Sequence, residues 1–115
     1  MIATATIGTD HIDLDYCADH GIEVNNAEGC NAGGVMQYVF SALYGIAARK
    51  GIKIEGVTIG IVGVGNVGKK VELMAKYLGF NVLRCDPPRA LREGPEGFCD
   101  LDYLLANSDI VTLHV

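Results

Sequence analysis

The stretch Val57-Thr-Ile-Gly-Ile-Val-Gly-Val-Gly-Asn-Val-Gly68 decides the fold of this 115-residue chain. Residues 57–62 form a continuous apolar run with β-branched side chains, which is typical of a strand buried on both faces of a sheet. Residues 63–68 form a glycine-rich turn of the pattern G-x-G-x-x-G. A helix is predicted over residues 66–78, because apolar side chains recur there at helical spacing.

The elements that follow extend this unit into a parallel sheet. Residues 80–85 are predicted as a second buried strand, which Pro87 and Pro88 end because proline cannot donate to a strand ladder. Residues 89–97 are predicted as a polar loop, residues 101–106 as a short helix and residues 109–115 as a third strand. The β-α-β-α-β order predicts an α/β protein with a Rossmann-type parallel sheet and right-handed crossovers, equivalent to one mononucleotide-binding half of a doubly wound fold.

Shorter elements precede the glycine turn. The long helix among them begins after Asn31, a plausible N-cap, and Gly51 is a natural residue to follow its end. Both ends of the chain are expected to be cuts through a larger protein. We predict a strand over residues 2–7, a helix over 14–19, a strand over 22–24 and the long helix over 32–50.

Each glycine of the turn has a distinct physical role. Gly63 permits a tight turn out of the strand, and Gly68 allows the helix to pack closely on the strand. Gly65 allows the backbone to approach a pyrophosphate, where a Cβ atom would collide. The amides at the helix N-terminus would then face the phosphates.

Asp86 follows the second strand, 18 residues after Gly68. A carboxylate at this place can accept hydrogen bonds from the ribose hydroxyls of a dinucleotide, and its charge would repel a 2′-phosphate. NAD is therefore favoured over NADP, although the neighbouring Arg84 and Arg89 keep NADP open. The alternative for Asp86 is a turn residue in front of Pro87.

Composition excludes some other classes of function. The formal net charge of −5 gives no electrostatic reason to expect nucleic acid or an anionic membrane as a partner. The uncharged residues 29–48 include polar side chains and several glycines, so a helix packed inside a protein is favoured over a membrane span. His11 lies near several aspartates, but helix capping and solvent exposure explain these residues better than a metal site. The four cysteines lack metal-ligand or C-x-x-C spacing and are expected to be reduced thiols of a cytoplasmic protein.

The sequence resembles the D-isomer-specific 2-hydroxyacid dehydrogenases over essentially its whole length. Gly8-Thr-Asp-His-Ile-Asp13 is similar to that family's G-T-D-x-I-D segment, and Asn31-Ala32 with Val35 and Tyr38 is similar to its interdomain helix. The resemblance implies that residues 1–28 are the end of a flavodoxin-like substrate domain. Residues 29–115 would be the interdomain helix and the N-terminal half of the NAD-binding domain. Four blocks resemble one branch of the family, which acts on a phosphorylated substrate: Thr4-Ala-Thr-Ile-Gly-Thr-Asp-His11, Gly29-Cys-Asn-Ala32, Gly60-Ile-Val-Gly-Val-Gly-Asn-Val-Gly68 and Cys85-Asp-Pro-Pro-Arg-Ala90.

The resemblance also implies roles for individual residues. Thr6 would contact the substrate, although from spacing alone it is an ordinary strand residue. Asn66 and Val67 would bind NAD through the backbone, Asp86 would bind the ribose, and Val115 stands where the family has Thr, so only its backbone could serve.

The family's catalytic Arg, Glu and His match no residue of this chain, and His114 is interpreted as structural. The expected whole protein moves hydride from a small, phosphorylated 2-hydroxy acid to NAD and is a homodimer, whereas this chain alone is inactive. A dehydrogenase for another 2-hydroxy acid, an NAD-sensing module without turnover and a remnant that no longer binds NAD remain as alternatives.

Overall fold

A computed structural model describes all residues from Met1 to Val115, which form two compact units. The first unit is Met1–Asn31 and the second is Ala32–Val115. The division lies close to the predicted boundary after residue 28. Whether the two units belong to separate domains of a larger protein stays a prediction.

The first unit is a small parallel pair of strands joined by a helix. Strand β1, Ile2–Ala3, pairs with β2, Val24–Asn25, and helix α1, Leu14–Asp19, lies between them in the sequence. Asp13 caps α1, since its Oδ1 accepts a hydrogen bond of 2.8 Å from the Tyr16 amide. The aspartate is thus a helix cap, as the capping interpretation predicts.

The predicted strand over residues 2–7 is shorter in the structure. Local hydrogen bonds of Thr4 and Thr6 turn the chain after Ala3: their hydroxyls lie 2.7 Å apart, and the Thr6 hydroxyl donates to the Gly8 carbonyl at 2.9 Å. Threonine hydroxyls that bond to nearby backbone compete in this way with a strand ladder. The interpretation of Thr6 as an ordinary strand residue is therefore wrong.

The second unit contains three parallel strands and the longer helices. The long helix has the predicted bounds and is followed by Gly51, whose φ of 66° is suited to glycine. In chain order the elements are α2 Ala32–Lys50, β3 Thr58–Val62, α3 Asn66–Tyr77, β4 Asn81–Cys85, α4 Pro87–Glu93, α5 Leu101–Asn107 and β5 Ile110–Leu113.

The predicted loop over residues 89–97 is partly wrong, because α4 occupies Pro87–Glu93. Prolines are tolerated in the first turn of a helix, where an amide has no intrahelical partner. Asp86 caps this helix through Oδ1, which accepts a hydrogen bond of 3.0 Å from the Arg89 amide. The prolines that end β4 therefore also begin a helix.

The strand order is β4-β3-β5, with all strands parallel. This confirms the Rossmann-type parallel sheet, but in a mononucleotide-binding half with order 3-2-1 the third strand would lie outside β4. The outer edge of β4 is instead met by the segment before α5, where the Cys99 amide donates to the Arg84 carbonyl at 2.8 Å. The chain then crosses to the other side of β3. The change of direction lies between β3 and β5, at the place where open α/β sheets bind ligands.

The core of the second unit lies between the sheet and the helices α2 and α3. Phe40 of α2 meets Phe80 edge to face, with ring centroids 6.1 Å apart. No helix in the structure is long and apolar enough to span a membrane. The fully enclosed members of the core are Phe40, Ile59, Ile61, Val64, Val71, Ala75 and Phe80.

Strand β5 is followed by His114, whose amide donates to the Val62 carbonyl at 2.8 Å. Its Nε2 lies 3.0 Å from the Thr112 hydroxyl. Burial lowers the pKa of His114 below its ordinary value of 6.5, because desolvation disfavours the imidazolium. These contacts agree with a structural role for this histidine.

We expect Gly60→Ala to destabilise the second unit by about 1–3 kcal/mol, the usual cost of overpacking a core. A Cβ atom on Gly60 would overlap the Leu104 and Ser108 side chains of the α5 region. Gly45→Ala is the matched control, because Gly45 lies inside helix α2 and a Cβ atom there would meet nothing within 4 Å. It should stabilise by about 0.5–1 kcal/mol. Urea unfolding measures both, and equal effects of the two variants would contradict the close packing of α5 on β3.

Stability should fall as the pH is lowered from about 7 to about 5.5, in the range where histidine titrates. The folded state holds the pKa of His114 low, so the unfolded state takes up this proton first and is favoured below the ordinary value of 6.5. His114→Gln should remove this part of the pH dependence, while His11→Gln, at an exposed position, should leave it. Unfolding midpoints across this range provide the measurement, and an unchanged slope in His114→Gln would refute the assignment.

Candidate functional site

The glycine turn lies where the carboxyl ends of the three strands of the second unit meet. The Gly63 amide donates to the Cys85 carbonyl at 2.9 Å, which ties the turn to the end of β4. The bond from His114 to Val62 ties β5 to the residue just before the turn. The turn is thereby held between both neighbouring strands.

Gly63 and Gly68 are required by close contacts inside the turn. Gly63 has a φ of 84°, and a Cβ atom there would lie 2.6 Å from the His114 carbonyl oxygen. A Cβ atom on Gly68 would overlap the Gly63 carbonyl oxygen and touch Ile61. Both observations agree with the tight turn and the close helix packing predicted for these glycines.

Gly65 has the opposite surroundings, because a Cβ atom there would meet no atom within 4 Å. Gly65 is the N-cap of α3, and no side chain caps this helix start. Asn66 and Val67 form the first turn, and the Lys69 amide bonds back to the Gly65 carbonyl at 3.0 Å. The start of this 12-residue helix thus has no side-chain cap and has open space beside Gly65, and a helix N-terminus of this kind can bind anions.

Asp86 directs its carboxylate at the glycine turn. Its Oδ2 accepts a hydrogen bond of 2.7 Å from the Val64 amide, while Oδ1 caps α4. The residue thus combines the two roles considered for it, since it is a structural cap in front of Pro87 and also faces the turn. A carboxylate has about four acceptor positions, so two backbone bonds leave capacity for hydroxyl donors.

The sequence pointed to Arg89 only as a neighbour of Asp86 that keeps NADP open, whereas the structure shows that it also contacts the glycine turn. Its Nη1 donates to the Val64 carbonyl at 2.6 Å, so the Val64 backbone is held at its N–H by Asp86 and at its C=O by Arg89. Glu93, one helical turn further on, accepts from Nε and Nη2 of Arg89. This hydrogen bonding raises the pKa of Arg89 and lowers that of Glu93. Two sequence features could have indicated this contact, namely an arginine at the third position of a capped helix and an acid four residues later. Both are meaningful only if residues 87–93 form a helix, whereas the sequence predicts a loop over residues 89–97.

Arg84 is committed elsewhere. Its guanidinium lies 3.2 Å from the Glu72 carboxylate, donates from Nε to the Gly97 carbonyl at 2.9 Å and stacks 4.7 Å above the Phe98 ring. These contacts occupy the Arg84 guanidinium with Glu72 and the residue 97–98 segment. Arg84 is therefore a structural arginine.

A cavity of about 280 Å³ adjoins Asp86 at the end of β4. Its walls are mostly apolar, and Asp86 and Asp100 supply the carboxylates. Such a space suits a flat aromatic group next to a hydroxylated one. The lining residues are Asp86, Pro87, Ala90, Pro95, Phe98, Cys99 and Asp100.

The remaining predicted residues lie at different places. Val115 is fully exposed, and one of its methyl groups lies 3.1 Å from the position of a Cβ on Gly63, so it borders the turn. Thr6 belongs to the first unit, where it is exposed. The structure thus brings together Gly63, Gly65, Asn66, Val67, Gly68, Asp86 and Val115 within the second unit, and Thr6 is a residue of the first unit.

The cysteines do not contribute chemistry to this site. All are free, and Cys85 and Cys99 have thiol pKa values raised mainly by burial, which disfavours the reactive thiolate. No group of three or more His, Cys, Asp or Glu residues is arranged to hold a metal ion.

Comparison with known proteins identifies the relatives of this chain. It is 51% identical over 114 residues to the erythronate-4-phosphate dehydrogenase of Chromohalobacter salexigens, covering 99% of this chain and 30% of that protein. It is 50% identical over 115 residues to the enzyme of the same name from Bacteroides fragilis, covering 100% of this chain and 33% of that protein. The chain therefore spans about a third of the length of the curated relatives it matches.

Solved structures with a similar fold include related dehydrogenases. The NAD⁺-bound 3-phosphoglycerate dehydrogenase of Entamoeba histolytica is similar, with a TM-score of 0.76, 29% sequence identity, 99% of this chain covered and 38% of that chain. Residues 38–115 match the NAD binding domain of the D-isomer specific 2-hydroxyacid dehydrogenases, and residues 1–71 match their catalytic domain. The chain belongs to the D-isomer specific 2-hydroxyacid dehydrogenase family, whose NAD-binding domain its residues 38–115 represent.

Proposed function

We propose that this chain binds the adenosine and diphosphate parts of NAD for a dehydrogenase that acts on a small 2-hydroxy acid. The observation that carries the proposal is the uncapped start of α3 at Gly65, which opens onto free space beside the Asp86 carboxylate. Backbone amides at a helix N-terminus suit a diphosphate, and a half-buried carboxylate suits ribose hydroxyls. The residues present therefore fit the cofactor that the family's domain binds.

Each part of the site has a role in this proposal. The backbone amides of Gly65, Asn66 and Val67 hold the diphosphate, and Asp86 accepts the adenosine ribose hydroxyls. The apolar cavity beside Asp86 takes the adenine. The Val115 backbone borders the path toward the nicotinamide. When bound, NAD would supply the hydride acceptor, while the chain supplies position and electrostatics.

The substrate we propose for the whole protein is 4-phosphoerythronate, oxidised to its 2-oxo acid. The names of the two curated relatives support it, and so does the resemblance of the four sequence blocks. Thr6, an exposed hydroxyl in the first unit, is the candidate substrate contact in this chain. The same resemblance supports a homodimer and a step in the formation of pyridoxal phosphate, and the four free cysteines support a cytoplasmic location.

We expect Gly65→Ala to lower the affinity for NAD by about tenfold or more, equivalent to at least ~1.4 kcal/mol, because the methyl group would fill the space meant for the diphosphate. Its unfolding free energy should stay within about 0.5 kcal/mol of the original chain, since no atom of the protein meets the new Cβ. Isothermal titration with NAD and urea unfolding measure the two quantities.

Gly68→Ala is the matched comparison for that experiment. The same methyl group three residues later overlaps the Gly63 carbonyl oxygen, so this variant should lose stability rather than only affinity. Undiminished NAD binding by Gly65→Ala, or no binding by the original chain, would count against the proposed cradle.

We expect the 115-residue chain to show no turnover when mixed with NAD and erythronate 4-phosphate. The reason is that the family's catalytic Arg, Glu and His match no residue of this chain, and His114 is held by Thr112 and the sheet. The absorbance of NADH reports the result, with the enzyme from one of the curated relatives as the positive control. Turnover above the protein-free rate would show that residues within this chain perform the chemistry.

A further inference from the structure

The Val64 peptide is held from both sides by the first turn of α4. Asp86 accepts its N–H at 2.7 Å, and Arg89 donates to its C=O at 2.6 Å. These two bonds fasten the start of α4 to the backbone of Val64, the residue directly before Gly65. The position of the Arg89 guanidinium is thus coupled to the geometry of the glycine turn.

Glu93 determines where that guanidinium points. Nε of Arg89 donates to Oε1 of Glu93 at 2.8 Å, and Nη2 donates to Oε2 at 2.5 Å, which is a bidentate fork. The guanidinium carbon of Arg89 lies over the Phe98 ring, 5.4 Å from the ring centroid. The Arg89 side chain is only 14% exposed. With the bond to Val64, three of the five N–H donors of this arginine are engaged and its charge is paired.

An arginine in this place would otherwise favour a different cofactor. It lies three residues after Asp86, the proposed ribose-binding acid, and an arginine near that acid is what accommodates the 2′-phosphate of NADP. The side-on fork that Glu93 occupies is the geometry by which arginine binds phosphate. A 2′-phosphate arriving here would meet two carboxylates and an arginine already bound.

We propose that Glu93 is a specificity-determining residue, which holds Arg89 on the Val64 carbonyl and withholds it from a 2′-phosphate, so that the site takes NAD and rejects NADP. The inference rests on the proposed NAD site and adds to it a second acid besides Asp86. Glu93 itself touches only Arg89, so it acts through that arginine.

A structural role alone would have other consequences. If Glu93 only supported α4, its removal would alter the two cofactor affinities equally. The ratio of the dissociation constants for NADP and NAD therefore separates the two roles.

The test is Glu93→Ala in the full 115-residue chain, titrated calorimetrically with NAD and with NADP at one ionic strength. The ratio of the NADP to the NAD dissociation constant should fall by about tenfold or more, the factor expected for one charge-assisted hydrogen bond. Glu96→Ala is the matched control, because it removes the same charge from an exposed residue that forms no hydrogen bond or ion pair. It should leave the ratio unchanged.

Arg89→Leu distinguishes release of the arginine from the loss of a repulsive charge. In that background, Glu93→Ala should no longer lower the ratio. The inference is overturned if Glu93→Ala leaves the ratio unchanged, or if Glu93→Ala lowers the ratio equally in the Arg89→Leu background. In either case, NAD binding by the original chain still supports the proposed function. Absence of NAD binding by the original chain would overturn the proposed function and the inference together. Glu93→Gln, which keeps the side-chain volume, repeats the test should the alanine variant lose its helical circular dichroism.

Discussion

The close approach of Gly68 to the Gly63 carbonyl oxygen is the constraint on which the site depends. No side chain fits between them, so α3 starts directly against the end of β3. Because Gly63 is also held by Cys85 and faces the His114 carbonyl, one turn is fixed against both neighbouring strands. Among the three glycines of the motif, only Gly65, at the start of the helix, has free space where a Cβ would lie. The three glycines thus have three different surroundings, and the proposed diphosphate site depends on that difference.

The strand order places this turn at the functional edge of the sheet. Strand β3 is central, with β4 carrying Asp86 on one side and β5 on the other. The first crossover runs from β3 to β4 and the second runs from β4 past β3 to β5, so the direction changes between β3 and β5, where open α/β sheets commonly bind ligands at the carboxyl ends of the strands. The acid, the apolar cavity beside it and the uncapped helix start are contributed by elements that are distant in sequence. They meet at one edge of the sheet because the strands are parallel and their carboxyl ends lie side by side.

Helix α4 connects specificity to the same turn. Asp86 accepts the Val64 N–H and Arg89 donates to the Val64 C=O, so the segment that follows β4 supports the glycine turn. In the proposed site, four consecutive residues, 86–89, would therefore supply both the ribose acceptor and the support of the turn. Glu93 completes this arrangement by pairing Arg89, whose guanidinium donates a hydrogen bond to the glycine turn.

Much of the site was accessible from local rules. A continuous β-branched run predicts a buried strand, and three glycines at fixed spacing predict a strand-turn-helix in which each has a separate steric task. The long helix was predicted with its observed bounds, because Gly51 ends it and charged residues precede that end. Helix α4 was missed because the two prolines were interpreted only as strand breakers, although the first turn of a helix tolerates them equally well. The strand at residues 2–7 was overextended because the threonine hydroxyls compete with the ladder.

Local sequence rules were enough to predict the long helix, the strand-turn-helix around the three glycines and the acid after the second strand, because these depend on φ preferences, Cβ sterics and spacing along the chain. Helix α4 and the length of β1, the side of β3 on which the last strand lies, and the two hydrogen bonds that hold the Val64 backbone became evident only in the folded chain. The hydrogen bonds to Val64 join residues more than 20 positions apart, and the place of the last strand depends on competition for one strand edge. The local sequence pattern carries no signal for either.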